Sequence, residues 1–202
     1  MALEISGAHL VSHSPLAKYS PAHTYWSVDA TFRYGNTTIL NLNDAPGVFD
    51  TGSLRLSLAT GVLLRDSQFQ VNMPVCSHLI YILEAYNQYV QATGAIYDDS
   101  TGYLSITPDQ YDKLESLYFK IEDSTYELNA NAQIWPRKLN YFIEGRADLV
   151  YLLVSDLGTG FSNEVGFVFG MRVLERFYAV FDSRRHRVGL ANTKFTDSTA
   201  IN

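Results

Sequence analysis

Apolar and polar positions alternate with a period of two over much of this chain. Trp26, Val28, Ala30 and Phe32 share one face of a strand predicted over residues 25–32, because successive strand side chains point to opposite faces. Tyr34-Gly35-Asn36 supplies turn chemistry, and the β-branched and apolar run over residues 37–42 makes the returning strand. Val48 and Phe49 then lead into Asp50-Thr51-Gly52-Ser53. A strand that ends in such a polar turn leaves Asp50 at its terminus with the carboxylate in a loop. Leu54, Leu56 and Leu58 alternate with Arg55 and Ser57 as strand again.

The period changes at residues 85–93. Tyr86, Tyr89, Val90 and Thr93 fall at i, i+3, i+4 and i+7, and Gly94 is placed to stop a helix. Leu104 to Ile106 is a short strand. Thr107, Pro108 and Gln110 read as N-cap, first position and third position of another helix, continued by Tyr111, Leu114 and Leu117. Beyond it the pattern returns to strands. A hairpin is predicted from residues 118–121 and 125–128, an apolar strand over residues 150–154, and an apolar run from Phe167 to Phe169 ended by Gly170. A closing hairpin pairs residues 174–182 with 187–191 around Ser183-Arg184-Arg185-His186.

Composition supports a mainly β fold of one domain. The 202 residues are 47% hydrophobic and 18% charged, with 14 Tyr and 11 Phe, a globular balance rich in strand formers. The formal net charge is −6, and no Lys/Arg run exceeds Arg184-Arg185, so the clustered positive charge of a nucleic-acid footprint is missing. One cysteine, Cys76, excludes an internal disulfide, and five scattered histidines (His9, His13, His23, His78 and His186) show no metal-ligand spacing. No cofactor and no metal are expected. Residues 1–7 have neither the basic nor the apolar region of a signal peptide, and no apolar stretch approaches the ~20 residues of a membrane-spanning helix. Asn36-Thr37-Thr38 has the form of an N-glycosylation acceptor, which matters only for a secreted chain.

Asp-Thr-Gly is a weak signal alone; its context strengthens it. Val48-Phe49-Asp50-Thr51-Gly52-Ser53, then Val168-Phe169-Gly170 much later, then Arg176 to Asp182 and Arg187 to Ala191, resemble in order and spacing the pepsin-like aspartic endopeptidases. Tyr25-Trp26 upstream and Asn131 to Arg137 add to the likeness, which is strongest to fungal, particularly basidiomycete, secreted enzymes. The resemblance implies the C-terminal lobe of a bilobal, mainly β acid protease with a few short helices, spanning residues 1–202. It implies that Asp50 is the second-lobe catalytic aspartate, with Thr51, Gly52 and Ser53 completing its loop. Tyr25 would line the substrate cleft, and Phe169 and Gly170 would form the structural ψ-loop beside it. The implied partners are a polypeptide substrate and an N-terminal lobe, with no nucleic acid and no membrane, and the parent enzymes are secreted or vacuolar.

The chain departs from the family in three places. No second Asp-Thr/Ser-Gly occurs; Asp156-Leu157-Gly158 is the nearest and lacks the hydroxyl. The expectation is therefore a chain with one of two catalytic aspartates, inactive alone. The alternatives are a non-catalytic peptide-binding module, or a homodimeric protease in which two copies each donate Asp50, as in retroviral proteases. Residues 61–84 interrupt a junction where the family has almost no linker; a retained intron or a surface insertion would account for them. Met171 follows Gly170 where the family often has an acidic residue.

Overall fold

The computed structural model describes residues 11–17, 24–40, 46–60, 62–64, 81–158 and 165–199. In chain order the strands and helices are β1 (Ser12–Pro15), β2 (Ser27–Val28), β3 (Thr31–Tyr34), β4 (Thr37–Leu40), β5 (Gly47–Phe49), β6 (Leu56–Leu58), β7 (Val62–Leu64), β8 (Tyr81–Leu83), α1 (Ala85–Thr93), β9 (Ile96–Asp98), β10 (Tyr103–Ile106), α2 (Pro108–Tyr111), β11 (Leu117–Ile121) and β12 (Ser124–Leu128). Two 3-10 helices, Ala130–Gln133 and Arg137–Ile143, lead to β13 (Val150–Leu152), β14 (Val154–Asp156), β15 (Phe167–Phe169), α3 (Met171–Leu174), β16 (Phe177–Asp182) and β17 (Arg187–Asn192).

The strands assemble into a five-stranded sheet of order β14-β6-β15-β5-β2 and a four-stranded one of order β12-β11-β3-β4. Two three-stranded sheets, β1-β17-β16 and β13-β10-β9, flank them, and β7 pairs with β8 alone. The core joins the two largest sheets. Phe32 of β3 and Phe119 of β11 meet Phe167 and Phe169 of β15, with ring centroids 4.9 Å apart for Phe32–Phe167 and 4.7 Å for Phe119–Phe169. All four rings are fully buried. Tilted and edge-on rings at these separations add to the gain from area burial.

Local signals decided the helices. Thr107 caps α2 by accepting from the Gln110 backbone N–H, while the Gln110 side chain accepts from the Thr107 N–H, a complete capping box with Pro108 in the first turn. Gly94 ends α1 at φ 65°, a left-handed conformation that glycine adopts without steric cost. Ala85, Tyr89 and Thr93 of α1 are buried, and Tyr86 and Val90 pack partly against the core. The predicted extension of α2 through Leu114 to Leu117 is corrected: the helix ends at Tyr111, and Leu117 opens β11, where it is fully buried opposite Leu128.

Two predicted strands are each split between sheets. Val28, Ala30 and Phe32 are buried as expected, but β2 pairs with β5 while β3 pairs with β11 and β4. Residues 150–154 are buried throughout, yet β13 joins β10 and β14 joins β6. The break falls at Leu153, whose N–H donates to the Gln133 carbonyl at 2.7 Å and whose carbonyl accepts from the Leu56 N–H at 3.0 Å. In the closing hairpin, Leu174 belongs to α3 and the strand starts at Phe177.

Candidate active site

Asp50 directly follows β5. The strand β15 lies between β5 and β6, parallel to the first (Phe169↔Phe49) and antiparallel to the second (Phe169↔Leu56). Residues 50–55 therefore arch over the end of β15. The arch is pinned there by main-chain hydrogen bonds. The Asp50 N–H donates to the Phe169 carbonyl at 3.0 Å, and the Gly170 N–H donates to the Arg55 carbonyl at 3.0 Å. Met171 and Arg172, the first residues of α3, donate to the carbonyls of Ser53 at 2.8 Å and Leu54 at 3.1 Å. A helix start leaves such N–H groups without partners inside the helix, and here the loop supplies them.

Gly170 is required by space. A Cβ there would stand 2.3 Å from the Arg55 carbonyl oxygen and 2.7 Å from the Leu54 carbonyl carbon, both main-chain atoms. Phe169 and Gly170 thus pack against the loop and hydrogen-bond to it.

The Asp50 carboxylate is exposed. Its Oδ1 accepts the Gly52 N–H at 2.9 Å, and its Oδ2 accepts the Ser53 hydroxyl in a short hydrogen bond. The Ser53 hydroxyl, and then the Gly52 N–H, favour the charged form and hold this carboxyl below the usual carboxylate range. Thr51 is exposed, and its hydroxyl bonds to none of the described residues. Tyr25 is 56% exposed, next to Trp26, whose carbonyl accepts the Phe49 N–H at 2.8 Å. So Tyr25 belongs to the chain segment that borders the Asp50 strand.

This local turn is not unique in the chain. Asp156 accepts the Gly158 N–H at 2.9 Å, and Asp98 accepts the Ser100 N–H at 2.9 Å, through the same kind of side-chain turn. Asp50 differs by its place at the mouth of the threaded loop. Two contributors escaped sequence reasoning. Arg55 stands with its guanidinium carbon 3.8 Å from the centre of the Tyr103 ring and donates to the Gly102 carbonyl at 2.7 Å, tying the arch to β10. Phe181 packs on Trp26 at 5.2 Å and on Phe49 at 6.0 Å, behind the strand that carries Asp50. Alternation assigns Arg55 to the solvent face, and it puts Phe181 on the face of Phe177 and Ala179 without indicating that it packs behind the Asp50 strand.

A family model described as "Eukaryotic aspartyl protease" matches residues 19–193. The chain belongs to the eukaryotic aspartyl protease family. It is 40% identical over 190 residues to polyporopepsin of the basidiomycete Irpex lacteus, a match covering 94% of this chain and 49% of that protein. The crystal structure of aspartic proteinase from Irpex lacteus superposes with a TM-score of 0.82 at 37% identity, covering all of this chain and 52% of the other. The chain thus spans about half the length of that relative. The mainly β, pepsin-like fold expected from the sequence is the fold found. Met171, where an acidic residue is expected from the resemblance, is half exposed and fills no packed site. Among the described residues, no group of three or more His, Cys, Asp or Glu is arranged to hold a metal ion, and no helix is long and apolar enough to cross a membrane.

Proposed function

We propose that this chain is the second lobe of an aspartic-type endopeptidase and that Asp50 is one of its two catalytic carboxylates. The observation that carries this reading is the Asp-Thr-Gly loop threaded by β15, which offers an exposed, hydrogen-bonded carboxylate at its tip. Family membership and the likeness to polyporopepsin support it.

The reaction is hydrolysis of a peptide bond by a water held between two aspartates. The ionised carboxylate takes a proton from the water as it attacks, and the protonated one polarises the scissile carbonyl. Two such groups about 3 Å apart cannot both ionise, so they share a proton and work in acid; aspartic proteases are the reference case for this effect. Within this chain, Ser53 and Gly52 favour the charged form of Asp50 by donating to it. Thr51, with its exposed hydroxyl, is the residue we assign to locking this loop against the loop of the first lobe. Tyr25 borders the polypeptide substrate. No cofactor takes part. Passage through a secretory or vacuolar route accompanies this reading.

The 202-residue chain holds one Asp-Thr-Gly in its sequence, and among the described residues no carboxylate acts on Asp50. It is therefore expected to leave a denatured protein uncut at about pH 3–4, where paired carboxylates act. Joined to the half of polyporopepsin that it does not span, it is expected to cleave, and Asp50→Asn to abolish the cleavage. Cleavage by the chain alone that Asp50→Asn removes would favour a homodimer instead. Cleavage by the joined protein that survives Asp50→Asn would remove Asp50 from the mechanism.

A further inference from the structure

We propose that Asn36, at the tip of the β3–β4 hairpin, carries an N-linked glycan. Asn36-Thr37-Thr38 is the sole Asn-x-Ser/Thr triplet in the sequence. Attachment needs the asparagine amide, a hydroxyl residue two positions on, a non-proline residue between them, and room for a bulky polar branch. The fold meets each condition. Tyr34 pairs with Thr37, so Gly35 and Asn36 are the two turn residues, with Gly35 at φ 52°. Asn36, Thr37 and Thr38 are all exposed. By contrast, Asn131 and Asn140 are buried, and neither opens such a triplet.

The acceptor atom is unengaged. Asn36 Oδ1 receives one long contact of 3.5 Å from Arg33 Nη1, and Asn36 Nδ2 makes no hydrogen bond to a described residue. Arg33 itself is turned back onto the hairpin: it donates to the Gly35 carbonyl, and its guanidinium carbon lies 4.1 Å from the centre of the Tyr118 ring. The cation nearest the tip therefore touches the amide only at Oδ1 and leaves Nδ2, the atom that would carry the glycan, without a partner among the described residues. Asn36 also directly precedes β4, the outer strand of its sheet, where a hydrophilic branch hinders pairing with another chain.

In the transfer, Asn36 Nδ2 bonds to C1 of the first N-acetylglucosamine of a lipid-linked oligosaccharide diphosphate. The bond from C1 to the diphosphate oxygen breaks, the lipid diphosphate leaves with its electron pair, and Nδ2 loses one proton. The test places the 202-residue chain behind a heterologous secretory leader in yeast and reads electrophoretic mobility in total lysate. Supplying the leader makes the result independent of any role for Asp50. A single mobility step is expected, removed by peptide-N-glycosidase under native conditions and absent from both Asn36→Gln and Thr38→Ala, while Thr38→Ser retains it. A leader-processed wild-type chain with no step overturns the proposal, as does a step that persists in Asn36→Gln. A glycan released only after denaturation overturns the exposed placement on which it rests.

Discussion

Deleting residues 61–84 is expected to leave the fold intact and to raise its stability. The reason lies in the two flanks. The Ala59 carbonyl accepts the Tyr86 N–H at 3.3 Å. Join Thr60 to Ala85, and residues 59, 60, 85 and 86 become consecutive, with a hydrogen bond from the first carbonyl to the fourth N–H, the closure of a β-turn. Ala59 and Ala85 are both fully buried, so the turn stays anchored on each side. The segment opens and closes with β7 and β8, which pair Val62↔Leu83, Leu63↔Ile82 and Leu64↔Tyr81 and join no other sheet. An isolated two-stranded ribbon is marginal in water, so its loss costs little. Shortening the connection to a two-residue turn recovers about 2 kcal/mol of closure entropy on a (3/2)RT ln n scaling. For a domain of this size that raises Tm by about 4–8 °C. Differential scanning calorimetry of both forms, with near-ultraviolet circular dichroism to confirm native packing, reads the outcome. A deletion variant that melts below the parent chain, or loses its near-ultraviolet signal, refutes the reasoning and makes the segment part of the fold.

Two further predictions concern the Asp50 loop. Gly170→Ala forces a methyl group against main-chain atoms of Leu54 and Arg55 and strains the loop's hydrogen bonds, so it is expected to cost about 3 kcal/mol or more in urea unfolding. Gly158→Ala, at φ 70° with nothing within 4 Å of the new Cβ, is expected to cost only the left-handed backbone penalty of about 1–2 kcal/mol; equal losses would disprove the steric argument. Ser53→Ala removes the main cause of the lowered Asp50 pKa, so the carboxyl midpoint read by 13C NMR is expected to rise toward its ordinary value. Because the folded pKa lies below the unfolded one, the stability Ser53 adds through Asp50 is present above the unfolded carboxyl pKa and is lost as pH falls through the folded one. A midpoint in Ser53→Ala at or below that of the parent chain counts against this assignment.

What the sequence disclosed, and what it withheld, follows the range of the interactions. The cap of α2 was legible because Thr107, Pro108 and Gln110 act within four residues, and the stop of α1 because Gly94 acts on its own φ. Where a strand leaves one sheet for the next was not legible. At residues 29–30 and at Leu153 the apolar pattern runs on unbroken, and the switch is set by partners far away in the chain, such as Gln133 and Leu56 for Leu153. Leu114 and Leu117 fitted a helical spacing, but Leu117 gained more by pairing in β11.

The same division governs the site. Asp50, Gly52 and Ser53 form a short-range turn legible in the sequence, yet Asp98 and Asp156, at the ends of the edge strands β9 and β14, form turns of the same kind. The turn alone therefore does not set Asp50 apart. What sets it apart is β15, more than a hundred residues away in the chain, which inserts between the two arms of the loop and holds the Asp50 backbone through the Phe169 carbonyl. Recognition from sequence worked because Val168-Phe169-Gly170 was read together with Asp50-Thr51-Gly52. Neither half of that pair identifies the site without the other, since one carries the charge and the other holds it in place.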